Sequence, residues 1–298
     1  MRVDAGPIAI LFAVLVLLGP LILGLMGWLR RGKVRGSGSA ARSWDWRLTI
    51  GSALLYALAF EVLFLIQELF LVIPKALTPG LHPILYHNNH DWTGDNPLAR
   101  LFQGTGALAI LLVGLAALAV LRAAHVPKGM TARTALIWVA FAGLFQSVPQ
   151  VVVGAILPQN DVGMAMDYLG LDAPLRWAAA LLAMAAIIAL AFALTRPLLS
   201  LAPDASRTGT IFRVGTVPAV LGTLIVIPFR LPGSIDQVAL VPVAVAIIGM
   251  GFIQAGAWRS APRPPEAPTG QLSPLLLLIA AMAMLAFFQV VLRPGIAF

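Results

Sequence analysis

Runs of about twenty apolar residues, separated by short polar stretches, recur along the whole chain and set its architecture. They cover residues 7–29, 48–73, 101–121, 135–157, 175–194, 214–227, 238–258 and 274–292, each compared with the ~30 Å of hydrocarbon that a span must cross. The sixth run is the shortest and contains Pro218 and Gly222; if it does not cross, the count falls to seven. Lipid offers backbone N–H and C=O groups no water, so each run must satisfy its own hydrogen bonds as a helix. The predicted fold is all-α: a polytopic transmembrane helical bundle of about eight spans, one integral membrane domain over residues 1–298.

Composition agrees with this reading. Hydrophobic residues make up 60% and charged residues 11%, with a mean hydropathy of +0.92, whereas a soluble domain is roughly a quarter charged. The net charge of +8 does not indicate a nucleic-acid partner. Its carriers fall in alternate loops: Arg30, Arg31, Lys33, Arg35, Arg42 and Arg47; Arg122, Lys128 and Arg133; Arg196, Arg207 and Arg213; Arg259 and Arg263. This positive-inside pattern makes 30–47 a basic cytoplasmic loop, and it puts both termini, an outer loop over 75–100 and a second over 158–174 on the far side. The expected location is the cell membrane, the inner membrane if the source is bacterial, with the lipid bilayer and a further membrane protein as partners. The first run is followed, not preceded, by its strongest charge cluster, so it reads as a retained span and not a signal peptide. With no cysteine in the chain, disulfides, Fe–S clusters and thiolate metal sites are excluded.

Chemistry enters through polar residues in apolar surroundings. Glu61 and Glu68, with Gln67 beside the latter, lie inside the second run, and an intramembrane carboxylate is costly enough to signal function. The seven-residue step from Glu61 to Glu68 to Lys75 is almost two helical turns, so the three share a stripe running from the outer surface inward. The Lys75 stem is expected to carry its ammonium to the interface.

Just beyond lies His82-Pro-Ile-Leu-Tyr-His87-Asn88-Asn-His90-Asp91-Trp92. On a helical turn His87 and His90 would share one ion, with Glu68 and His82 as further ligands and Asn88 or Asp91 orienting a ring; imidazole with carboxylate suits Zn, Fe or Mn. The string His87-Asn88-Asn89-His90 resembles a fragment of a histidine box of membrane fatty-acid desaturases, but four residues carry the likeness and a chain with four histidines lacks the remaining boxes, so that family is set aside. No histidine falls deep in a span, which argues against haem. On the fourth run Gln146 and Gln150 flank Pro149 and face one side, so runs two and four are expected to face each other, with Asn160 or Asp161 near the histidine loop.

Three functions follow. The first is a divalent-metal-dependent membrane enzyme, a hydrolase before an oxidoreductase, with Glu61, Glu68 or Asp91 as acid or base. The second is a non-catalytic subunit or assembly factor of a membrane complex. The third is a proton or metal-ion transporter, which needs a route onward where the inner halves of runs two, four and six offer only Thr49, Ser52, Tyr56 and Thr216.

Overall fold

The computed structural model describes residues 6–30, 44–123, 126–202, 207–259 and 268–298. It contains eight helices long and apolar enough to cross a membrane. With one short helix they are labelled α1 (Gly6–Met26), α2 (Trp46–Ala76), α3 (Leu98–Arg122), α4 (Met130–Ile156), α5 (Asp161–Tyr168, the short one), α6 (Ala173–Leu199), α7 (Gly209–Arg230), α8 (Asp236–Ala257) and α9 (Pro274–Leu292). The sixth run, doubtful by length, is a full helix once its start is extended to Gly209. Pro218 falls in the first turn after a wide-turn segment at Phe212–Thr216, where its missing N–H costs little. The basic loop expected over 30–47 lies, from 31 to 43, outside the described residues.

Helix α2 is the axis of the bundle and packs against α3, α4, α7 and α9. Asp45 caps its start by accepting the Leu48 amide at 3.0 Å. At the other end Pro74 sits in the last turn, and Thr78 Oγ1 donates to the Pro74 carbonyl at 2.7 Å. Between α2 and α4 runs an aromatic column: Tyr56 meets Trp138 edge-on at 5.0 Å, Trp138 meets Phe141 at 5.3 Å, and Phe141 meets Phe145 at 4.9 Å. Spans α1 and α9 are peripheral, and Leu275, Leu276, Ile279 and Met282 point outward as a lipid-facing surface.

In hydrocarbon, helices gain no hydrophobic free energy by meeting, so close backbone packing must hold them. Gly114 of α3 and Gly143 of α4 supply it: a Cβ on Gly143 would lie 2.6 Å from the Ile110 carbonyl oxygen, and one on Gly114 would lie 2.9 Å from the Gly143 carbonyl carbon.

One end of the bundle is elaborated. There β1 (His82–Leu85) and β2 (His90–Thr93) form an antiparallel hairpin, registered His82 to Thr93 and Leu85 to His90, and β3 (Ile296–Ala297) adds to β1. The Tyr86 amide donates to the Asn89 carbonyl at 2.8 Å across the tip. Residues 86–89 are therefore a hairpin turn, with His90 opening β2, and not the helical turn expected of His87 to His90. Alternate residues of a strand face opposite sides, so the i, i+3 logic of a shared helical face does not apply. Gly94, at φ +108°, leaves the hairpin where a Cβ would strike the Gly80 carbonyl. Helix α5 packs on α3 and α4, started by Asn160 and pressed close by Gly163, whose Cβ position is 2.5 Å from the Leu157 carbonyl oxygen.

Gly143→Leu is expected to lower stability by at least ~2 kcal/mol through overpacking of the α3–α4 crossing. Gly24→Leu, where a Cβ meets nothing within 4 Å, should be near neutral. Thermal unfolding in detergent compares the two.

Candidate functional site

The hairpin turns His90 inward, over the α2 stripe. Its Nδ1 lies 2.7 Å from Glu68 Oε2, and its Nε2 lies 3.0 Å from Gln103 Oε1. All three side chains are buried, at 7%, 4% and 1% exposure. Gln103 is presented by a break in α3, where Thr105 Oγ1 donates to the carbonyls of Phe70 and Phe102. Two proton arrangements fit the same heavy-atom positions. An imidazolium donates to both partners; alternatively a neutral ring donates to Glu68 and accepts from the Gln103 amide turned end for end. The geometry thus holds one proton more or less without a rearrangement of the backbone.

Lys75 closes the cluster from above. The stripe predicted from sequence is present, but the ammonium does not reach the interface: it is fully buried, 4.5 Å from the Trp92 ring centroid, with no hydrogen-bond partner among the described residues. The hairpin folds over the end of α2 and Trp92 covers it, so cation–π attraction and nearby carboxylates replace water. Those carboxylates are Asp161 and Glu68. Asp161, at the start of α5, is only partly buried and is the member in contact with solvent. Burial and the Glu68 charge push its carboxyl up to about 6, against the pull of His90 and Lys75.

Deeper along α2, Glu61 Oε1 accepts from Arg230 Nε at 3.3 Å, with the side chains 0% and 4% exposed. The guanidinium lies over Phe64 at 4.0 Å and Phe60 at 5.2 Å. Glu61 Oε2 has no hydrogen-bond partner among the described residues. Glutamines lie between the two levels: Gln150 Nε2 donates to Gln67 Oε1 at 2.8 Å and to the Gln146 carbonyl at 2.9 Å, and Gln146 Nε2 donates to the Phe60 carbonyl at 3.1 Å. Helices α2 and α4 face each other here, and Asp161 reaches the histidine hairpin, both as the spacing predicted.

Other expected members lie elsewhere. Asp91, on the opposite side of β2 from His90, is exposed and accepts the Trp92 amide at 2.8 Å. His82 is exposed at the start of β1. Asn160 caps α5, accepting the Val162 amide at 3.3 Å. Asn88 and His87 serve the end of α7. Asn88 Nδ2 donates to the carbonyls of Pro232 at 2.9 Å and Arg230 at 3.4 Å. From α9, Gln289 Nε2 donates to Pro228 at 2.9 Å and Leu231 at 2.8 Å. The buried His87 ring faces the same turn without a well-formed hydrogen bond. Burial holds its basicity below the usual range; the charge of Arg293 adds to this, while the carbonyls of Pro232, Leu231 and Arg230 oppose it.

His87 and His90 therefore address different partners. Among the described residues no group of three or more His, Asp or Glu side chains is arranged to hold a metal ion, so the metal set expected from His82, His87, His90 and Glu68 is not assembled. The reason is the strand geometry, which sends the two imidazoles to separate elements.

Comparison with protein-family models, with curated proteins and with solved structures finds no match for the chain. The geometry is therefore the basis for function. Arg230 was missed by sequence reasoning, and Gln103 stood out only as one of several polar residues within the spans that could line the same cavity. Arg230 did leave a signal, as a lone arginine between Pro228 and Pro232 in an otherwise Arg-poor loop.

Two outcomes test the site as built. Glu61→Leu leaves the Arg230 charge buried alone and is expected to cost ~3–5 kcal/mol, while Glu61→Leu with Arg230→Leu restores most of the loss; a double-mutant cycle in detergent reads both. For Asp161 the folded state keeps a proton that the unfolded chain releases between 3.8 and about 6. Its contribution to stability thus falls as pH rises through that window. Asp161→Asn should flatten the dependence, with the melting temperature gaining on the parent at pH above about 6.

Proposed function

We propose that this integral membrane protein transfers protons between the aqueous phase at its hairpin end and the buried Glu61–Arg230 pair, as a proton transporter. The observation that carries this is a line of acid–base and amide groups along α2, from the partly exposed Asp161 through the bonded set Glu68–His90–Gln103 to the pair Gln67–Gln150 and to Glu61. Glu61, Gln67, Glu68, His90 and Gln103 in that line are buried, which favours a proton over any larger substrate. Carboxylates at this depth are the usual carriers of such transfer. By the loop charges the hairpin end faces outward and the basic end faces the cytoplasm.

The chain's own groups divide the work. Asp161 collects a proton from outside water on a carboxyl oxygen. His90 accepts at one nitrogen and releases at the other as Gln103 or Glu68 changes role, which is what an imidazole held between two acceptors can do. Lys75 places its amino group beside the carboxylates of Asp161 and Glu68. Trp92 excludes water above it. A hydrolase at the same residues is less well supported, because both His90 nitrogens are engaged and Asp91 points to solvent.

Proton uptake by purified protein in weakly buffered detergent, followed as the pH falls from ~7.5 to ~5, tests the reading. The parent is expected to take up about one proton more than Asp161→Asn, with a midpoint near the value of about 6 set by burial and Glu68. Glu68→Gln removes a like charge, so the remaining Asp161 midpoint should move down. Identical uptake by parent and Asp161→Asn across the window would sink the proposal.

A further inference from the structure

The polar side chains of α2 do not stop at Glu61. Toward the basic end, Thr49, Ser52 and Tyr56 follow at steps of three and four residues, so they form one stripe beside that of Glu61, Glu68 and Lys75. All three are buried, at 2%, 0% and 1% exposure. Each is tied to a different neighbour. Thr223 Oγ1 of α7, which donates to the Ala219 carbonyl at 2.8 Å, is the hydrogen-bond neighbour of Tyr56 Oη at 3.4 Å. Ser52 Oγ accepts from Trp138 Nε1 of α4 at 2.8 Å and donates to the Val214 carbonyl at 3.3 Å. Thr49 Oγ1 accepts from Trp44 Nε1 at 3.0 Å and donates to the Asp45 carbonyl at 3.1 Å, at the mouth of the basic end. Arg230, which holds Glu61, also lies 5.2 Å over the Phe60 ring, itself 6.0 Å from that of Tyr56, so the two stripes meet near it.

Three of the four groups that the sequence offered on this side therefore stand in line on one helix. A hydroxyl accepts a proton on oxygen while giving up its own, so a file of hydroxyls can pass a proton without resting a charge in hydrocarbon. We infer that this stripe completes the route, and that the protein moves protons across the bilayer and not merely into it; the inference rests on the relay proposed above. A proton arriving from Glu68 binds Glu61 at Oε2, the oxygen that Arg230 leaves open. That O–H bond then breaks toward a water between Glu61 and Tyr56. Tyr56 Oη takes a proton as it releases its own toward Ser52 and Thr49, and the proton leaves to water beside Asp45. Successive hydroxyls of the file are about one helical turn apart, some 5–6 Å, and Tyr56 lies ~7.5 Å along the helix from Glu61, so the route requires a water in each gap. No electron moves and no heavy-atom bond changes.

The experiment uses the full chain in sealed liposomes with an internal pH dye and a potassium diffusion potential. The parent should acidify the lumen at least ~10-fold faster than protein-free vesicles, and Tyr56→Phe, which keeps the ring and loses only the hydroxyl, should remove most of that excess. Thr223→Val, which deletes the same hydrogen bond from α7, provides a second variant if the first fails to fold. In both variants the proton uptake at Asp161 should stay at the parent level, whereas Glu68→Gln alters both readouts. Parent-like flux in a folded Tyr56→Phe overturns the inference. So does flux at the protein-free rate in a parent whose Asp161 uptake is intact, and that result leaves the outer relay standing. A parent with neither flux nor uptake overturns both.

Discussion

A charge placed in hydrocarbon must find its counter-charge in the protein, and much of this bundle is arranged to meet that requirement. Glu61 sits halfway along α2 with Arg230 beside it, so α7 must end at this level and on this face. The end of α7 is then held by donors from two other places, Asn88 at the hairpin tip and Gln289 on α9, which satisfy carbonyls that no further helical turn follows. The hairpin in turn carries His90 to Glu68 and Trp92 to Lys75. Two buried ionic sites thus fix the ends of α2 and α7, the hairpin and the position of α9.

The two ends of the bundle differ in kind. At the hairpin end an added sheet, the helix α5 and a set of titratable side chains close over α2, with Asp161 their partly exposed member. At the basic end the segment near Thr269 pairs with the turn at Lys128, and the polar groups of α2 are neutral hydroxyls.

Much of this was legible in the sequence. All eight spans, the stripe Glu61–Glu68–Lys75, the facing of α2 and α4 and the approach of Asp161 to the histidine segment followed from hydropathy and helical periodicity, because a helix fixes which residues share a face. What failed was tertiary. His87 and His90 looked like a chelating pair only if the segment were helical, and its β-hairpin form depends on pairing with residues far along the chain. Lys75 looked free to reach the interface, since nothing local announces that Trp92 will cover it. Arg230 and Gln103 meet Glu61 and His90 through packing between spans, which no spacing rule encodes.

The pair that anchors α2 also sets an order of assembly. Glu61 and Arg230 are 169 positions apart in the chain. If spans enter the bilayer in chain order, the carboxyl is in place while four further spans are still being made, and its counter-charge arrives only with α7. Until then α2 carries an unmatched polar group that favours association with any neighbour able to offer a donor. The bundle therefore becomes electrostatically complete late, in a single docking event. A truncation or insertion defect in α7 would be felt in the second span as much as in the sixth.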